Sequence, residues 1–471
     1  MGATPQWTPN SRLTVRALID WQRTTDGKTQ PEFFTADDFL PPLTSKGYVA
    51  QNWAKRQNTT VNLGGLVTAQ LAENWLLRAG VFRSTNNNPA VFADLYTDVQ
   101  PNGQAEHLVA AFRDQDSSST SGEVRLTGTF LTGDWRQQVI FAARGRDTTS
   151  RFGGGDVADL GPAAIGKLVQ APEPDFRFSA RAADRAQLRS VGAAYRVDWR
   201  TRGVLEIGIQ KEDYRENANN PRTPQSEISA HPWRAYANAA VAVTPQLTLY
   251  GGYTQGLEKS GIAPSSAQNS GAVLPASLTW QADLGARYAV TPRLKLIAGV
   301  FELQKPYFNL DTSNIDRELG VQRAKGVEVS VAGEVTENLN VNIGVLHGLV
   351  RITGPNLAAE GVGSVAVGQP RLTYVAAANY ALPWWPAASL DVRVVHVSSA
   401  PESVDNAVYT RPATSLAVGG RYKFTAFGKN SSLRLQVQNV LATNVWQQLS
   451  TPGVFQYPGP RRFLVYITTD F

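Results

Sequence analysis

Apolar and polar residues alternate along this chain with a period of two. At the carboxy end Phe463, Val465, Ile467, Thr469 and Phe471 fall on one face, and Leu464, Tyr466, Thr468 and Asp470 on the other. Just upstream, Leu433, Leu435 and Val437 alternate with Arg434, Gln436 and Gln438. The pattern recurs: Val124, Leu126 and Phe130 oppose Glu123, Arg125, Thr127 and Thr129, and Val327, Val329 and Val331 oppose Glu328 and Ser330. Leu247, Leu249 and Tyr253 oppose Thr248, Tyr250 and Thr254, while Leu390, Val392 and Val394 oppose Asp391 and Arg393. Successive side chains of a strand point to opposite faces. Strands of about ten residues, greasy on one side and hydrophilic on the other, predict a barrel that crosses lipid around a wet lumen. A soluble sandwich alternates in the same way, so the number of hairpins decides. A last strand with no tail to cover it is expected to pair along both edges.

Two kinds of connection separate these strands. Short turns occur at Trp7-Thr8-Pro9-Asn10-Ser11, Ala72-Glu73-Asn74-Trp75, Thr132-Gly133-Asp134-Trp135 and Trp199 to Gly203. They recur at Thr244 to Leu247, Thr291 to Leu294, Thr336 to Leu339, Pro383 to Pro386 and Gly428-Lys429-Asn430-Ser431, with Gln100-Pro101-Asn102-Gly103 a further member. Pro, Asn, Gly and Asp supply the backbone angles that tight turns need. Several turns carry a Trp, the residue that collects at the headgroup level of a bilayer. Long polar connections span roughly 25–57, 148–183, 214–228, 257–276, 305–321, 353–367, 399–409 and 441–457. Short turns at one end and long loops at the other are the asymmetry of an outer-membrane barrel. The count is about 20 strands, above the 16–18 of porins and approaching the 22 of plugged transporters. The predicted fold is all-β: a transmembrane antiparallel β-barrel, one domain over residues 1–471.

Composition changes this picture little. Of 471 residues, 11 are Trp, 15 Tyr and 18 Phe, and only 18% are charged. No apolar run is long enough for a membrane helix; Val375 to Leu390 is broken by Pro383 and Pro386 and reads as strand, turn, strand. A mean hydropathy of -0.24 does not argue against a barrel, because barrel walls are half polar. The absence of cysteine excludes disulfides, thiolate metal sites and a Cys nucleophile. The net charge of +6 is spread along the chain, with no basic cluster that reads as a nucleic-acid footprint. Met1 to Trp7 has no basic region, apolar stretch or cleavage site, so it is not a signal peptide.

Several stretches, in order, resemble TonB-dependent outer-membrane receptors of the ferric-siderophore type. They are Tyr250-Gly251-Gly252-Tyr253-Thr254-Gln255-Gly256-Leu257-Glu258, then Gly261-Ile262-Ala263-Pro264 and Leu274-Pro275-Ala276. Phe301 to Phe308, Ala324-Lys325-Gly326-Val327-Glu328-Val329-Ser330 and Leu435 to Leu441 follow. The resemblance implies ligand capture by outer loops and a plug rearranged by the TonB complex. It implies an outer-membrane location among lipid and lipopolysaccharide, and an assembly signal at Tyr466 and Phe471 for the barrel-assembly machinery. It implies no cofactor, with iron arriving only inside its siderophore. The family's TonB box and plug are missing from the expected pattern. The first complete strand, Leu13 to Arg23, has the parity of a third strand, so the chain is expected to begin within the second strand of a 22-strand barrel that lacks its first hairpin. A TonB partner is then expected only if the missing region is supplied.

No catalytic constellation emerges. His107, His231, His347 and His396 are scattered, and Phe152-Gly153-Gly154-Gly155-Asp156 lacks the Lys-Ser/Thr of a phosphate loop. A bulky, anionic and partly aromatic ligand calls for basic groups to meet its charge and rings to stack on it. The candidates are Arg151, Phe152, Lys167, Phe176 and Arg177 in one loop, Tyr214 and Arg215 in the next, and Tyr253 and Phe308. Glu123 with Arg125, and Asp391 with Arg393, read as paired charges lining the lumen. A passive porin-like channel is the second reading, and a soluble multi-strand binding protein the third.

Overall fold

The computed structural model describes residues 2–26, 31–35, 39–42, 51–167, 169–200, 202–219, 225–443, 446–449, 453–456, 459 and 461–470. Among them there is no helix, and 25 strands form one sheet. The first half comprises β1 (Gly2–Ala3), β2 (Gln6–Asn10), β3 (Leu13–Asp26), β4 (Glu32–Phe34), β5 (Arg56–Ala72), β6 (Trp75–Thr97) and β7 (Gln104–Thr132). It continues with β8 (Trp135–Phe152), β9 (Gly155–Ala164), β10 (Ala182–Trp199), β11 (Gly203–Asn219), β12 (Ser226–Ala230) and β13 (Trp233–Ala242). Then come β14 (Leu247–Glu258), β15 (Ser277–Thr291), β16 (Leu294–Leu310), β17 (Asp316–Thr336), β18 (Leu339–Thr353) and β19 (Leu372–Ala381). The last are β20 (Ala388–Val397), β21 (Ala413–Ala426), β22 (Lys429–Gln438), β23 (Gln447–Gln448), β24 (Val454–Gln456) and β25 (Arg462–Thr469).

Apart from β4, β9, β12, β23 and β24, 18 strands run each antiparallel to the next from β3 to β25, and β1 with β2 lies antiparallel along β3 as a further one. β6 and β7 run 23 and 29 residues, well beyond the ten-residue strands that the alternation leads one to expect. Their connection, Gln100 to Gly103, belongs to the long-loop end and not to the set of short turns. At the opposite end the turns are tight. Between β21 and β22 the two turn residues are Phe427 and Gly428, both with positive φ (53° and 73°), the backbone twist that suits a two-residue hairpin. That turn lies two residues before its expected place.

The two faces separate as the alternation predicts. Leu205, Ile207 and Ile209 on β11, Val327 and Val329 on β17, and Phe463, Val465 and Ile467 on β25 are exposed on the outer face. The expected partner for both edges of β25 is only half present. β25 pairs with β22, and among the described residues no ladder joins it to β1, β2 or β3. Phe471 lies outside the described residues, and Tyr466 sits opposite Arg434 on the lumen-side parity. At the short-turn end Trp135 stacks on Trp199 at 5.2 Å and 10°, Trp385 packs beside Tyr422, and Trp384 is exposed.

Candidate functional site: the lumen wall and its outer vestibule

Strands β6 and β7 continue beyond the width a bilayer needs and carry a small core of their own. Phe33, Tyr96, Val99, Ala105, Trp446 and Phe455 are buried together there. The core ties distant parts of the chain. β24 pairs with β4, and β4 lies parallel to β6. The Trp446 indole N–H donates to the carbonyl of Pro41 at 2.7 Å. The loop before the last strand is therefore clasped to the loop after β3. Beneath it His107 Nε2 lies 2.5 Å from Asp94 Oδ1, with the ring of Tyr96 stacked on His107 at 4.5 Å.

A second cluster adjoins the clasp. Trp53 meets Phe92 edge-on at 5.6 Å and Phe176 at 6.1 Å, Phe176 packs on Phe178, and the Arg113 guanidinium lies 4.8 Å over the Phe178 ring. The side-chain amide of Gln51 accepts from the Ala171 N–H and donates to the Val169 carbonyl, both at 2.9 Å, stitching the two loops together. Of the candidate residues, Phe176 alone enters this cluster. Trp53, Phe92, Phe178 and Arg113 carry no local sequence signal, because pairing across 118 residues brings them together.

The other candidates are dispersed. Arg151 and Phe152 end β8 and line a cavity of about 450 Å³ with Asp114, Asp116 and Arg181. Lys167 is exposed after β9, and Arg177 is exposed with its backbone N–H on Asp156. Tyr214 is buried, its hydroxyl donating to Glu216 Oε2 at 2.5 Å. Arg215 is exposed beside Asp213, with Nε 3.3 Å from its carboxylate. Tyr253 shares the outward face of Leu249 and neighbours Trp280, so it points away from the lumen. Phe308 follows a bulge that shifts the β16–β17 register between Tyr307 and Phe308. The structure therefore does not gather these nine residues into one site.

The lumen wall is a ladder of charges. Glu123 pairs with Arg125 at 2.7 Å and Arg144 at 3.2 Å. Arg196 holds Asp198 at 2.7 Å and Glu206 at 3.3 Å, and Tyr236 donates to Glu206 at 2.8 Å. Higher up, Arg234 pairs with buried Glu212, and Lys259 with buried Glu216. The expected pair of Asp391 with Arg393 does not form. Asp391 lies over Gly419, where a Cβ would sit 2.8 Å from its carboxylate, and so reaches Arg434 on the next strand at 3.0 Å.

In the outer loops, burial pushes the Glu402 carboxyl up to about 7, offset in part by the Thr410 hydroxyl. Asp311, held by the Arg317 guanidinium and by the backbone N–H groups of Ile315 and Ser313, is pulled below the usual carboxylate range. Among the described residues no group of His, Asp and Glu could hold a metal ion.

An apolar outer face, a charged inner face, short turns at one end and clasped loops at the other define a membrane β-barrel wall. The chain belongs to the TonB dependent receptor-like β-barrel family, whose model matches residues 5–440. This is a family of transport receptors, not enzymes, in the outer membrane of Gram-negative bacteria. The chain is 22% identical over 453 residues to the ferrichrome receptor FcuA of Yersinia enterocolitica, covering 92% of this chain and 58% of that protein. It thus spans less than two thirds of that relative's length. Among solved structures it resembles BauA, the ferric preacinetobactin receptor of Acinetobacter baumannii, with a TM-score of 0.84 and 19% identity over 100% of this chain and 71% of that one. It also resembles the pyoverdine-bound FpvA of P. aeruginosa, with a TM-score of 0.78 and 15% identity over 98% and 63% of the two chains.

Proposed function

We propose that this chain is the barrel portion of an outer-membrane receptor for ferric siderophores. The ligand would be captured at the clasped outer end and imported with energy from the TonB complex, acting on a plug not represented in residues 1–471. Iron enters this reading only as cargo inside its chelator. The remaining partners are lipopolysaccharide around the wall and the assembly machinery that reads the last strand.

The observation that carries the reading is the ring cluster of Trp53, Phe92, Phe176 and Phe178 with Arg113 above it, at the loop end of a family barrel. Aromatic faces and a guanidinium suit a bulky, partly aromatic, anionic chelate. Binding of a panel of ferric siderophores, ferrichrome included, to the membrane-reconstituted protein tests it by quenching of tryptophan fluorescence. Saturable quenching by one ferric complex and not by its iron-free form is expected. No saturable response to any hydroxamate, catecholate or carboxylate complex overturns the reading.

A further inference from the structure

At the long-loop end, away from the short turns, β20 and β21 and the loops beyond them line a cavity of about 480 Å³. Val395 and Val397 on β20 and Ala413 on β21 form its apolar side together with Trp446 of the outer clasp, and Glu402, Arg411 and Gln448 form its polar side. Val395 and Val397 alternate with the outward row that holds the exposed Leu390 and Val392, and Val397 pairs with Ala413, so this lining faces the lumen. The volume is that of a small-molecule pocket.

Two acceptors of the polar side go unserved. Glu402 is 3% exposed, and its Oε2 has no hydrogen-bond partner among the described residues. The loop that carries it is fixed by its main chain: the Glu402 N–H donates to the Val408 carbonyl at 2.8 Å and the Thr410 N–H to the Ala400 carbonyl at 2.9 Å. Gln448 donates its side-chain amide to the Glu402 carbonyl at 3.3 Å, which turns its own Oε1 into a second buried acceptor with no partner among the described residues. A buried acceptor without a donor is costly and calls for an explanation. Arg411 is the other ionisable side chain of the lining, and it is exposed and makes no ion pair among the described residues. An acid and a base thus line one cavity without meeting, the acid buried and the base in water.

We propose that this cavity binds a small zwitterion, a molecule with a primary ammonium at one end and a carboxylate at the other on a short aliphatic frame. The ammonium, a compact charge with three donors, serves Glu402 Oε2 and Gln448 Oε1. The frame lies along Val395, Val397 and Ala413, and the Arg411 guanidinium meets the carboxylate with its paired N–H groups. A cation beside Glu402 also restores the ionised form that burial alone disfavours. The site needs neither iron nor the ring cluster of Trp53 and Phe176, so it stands or falls separately from the receptor reading.

Calorimetric titration of the detergent-solubilised full chain at pH 8 tests it with γ-aminobutyrate as the zwitterion, butylamine as the ammonium alone and butyrate as the carboxylate alone. Saturable one-to-one binding of γ-aminobutyrate is expected, with butylamine at least tenfold weaker and butyrate at least a hundredfold weaker. Glu402→Gln keeps the shape of the side chain, removes its charge and suits a buried site, and it should weaken γ-aminobutyrate at least thirtyfold. Arg411→Gln should weaken γ-aminobutyrate at least tenfold and leave butylamine unchanged, a selectivity that general damage to the loops cannot produce. Glu337→Gln, in the tight turn between β17 and β18 at the far end of the wall, should leave all three unchanged. No saturable binding of γ-aminobutyrate, equal binding of either single-charge probe, or equal binding by Glu402→Gln and the parent overturns the proposal.

Discussion

Asp391 and Arg434 form their 3.0 Å ion pair across a strand that neither belongs to. The carboxylate passes over Gly419 of β21, where a methyl group would stand 2.8 Å from Oδ2. Glycine is required here by close approach and not by backbone angle. Gly419→Ala should displace the carboxylate and cost about 1 kcal/mol or less, the scale of a partly exposed pair. The same substitution in an Asp391→Ala background, where neither the carboxylate nor its bulk remains, should cost less. Urea unfolding of all four proteins in a double-mutant cycle checks this, and strictly additive losses would refute it.

The two faces of the wall make an equally direct prediction. The chain has no cysteine, so a single introduced thiol reports its own surroundings. In reconstituted bilayers, a thiol at Ser330 should react with a membrane-impermeant maleimide, while one at Val329, exposed on the outer face, should be protected by lipid. Val329→Arg should cost about 2–4 kcal/mol if the site is near mid-bilayer. Reversed labelling at the two positions would invert the barrel.

The outer clasp rests on His107 and Asp94, side chains 5% and 0% exposed. Removing Asp94 leaves His107 buried without its partner, and removing His107 leaves the buried Asp94 with only the Gln51 N–H, at a cost of about 3 kcal/mol in either case. His107→Ala and Asp94→Ala should therefore speed hydrogen exchange in 31–35 and 453–456, the strands paired above it, with the β14–β18 wall unchanged. Equal protection in variant and parent would separate the pair from the clasp.

Glu402 is 3% exposed, and its folded pKa of about 7 lies above the ordinary value near 4.3. The unfolded carboxyl releases its proton first, so the favourable neutral state is fully retained below pH 4. Its contribution is lost as the pH rises from there to about 7. The loss amounts to at most about 4 kcal/mol. Glu402→Gln should leave the exchange of 398–412 unchanged at pH 4 and slow it at pH 8. The same exchange difference at both pH values would contradict this.

Tyr214 is a packing residue whose hydroxyl serves Glu216. Tyr214→Phe should lower barrel stability by about 1.5–3 kcal/mol, the value of a hydrogen bond to a charged group. It should leave the affinity for any ferric siderophore within twofold. A tenfold loss of affinity at unchanged stability would place Tyr214 in contact with ligand.

The sequence by itself determined the wall. Period-two alternation over β7, β17 and β25 predicts which side chains meet lipid, because a strand has only two faces and one of them must be greasy. The same pattern predicts the end with tight turns and Trp residues, since turn chemistry is local. Tertiary structure decided what lies more than one strand away. Alternation cannot tell where lipid ends, so the outward extension of β6 and β7 was invisible. Trp53 meets Phe176, Phe33 meets Trp446, and Asp391 prefers Arg434 to Arg393 because folding sets loops and strands far apart in the chain side by side. Such contacts leave no periodic trace in the order of residues, and a glycine that lets a carboxylate cross its strand reads in sequence as any other glycine.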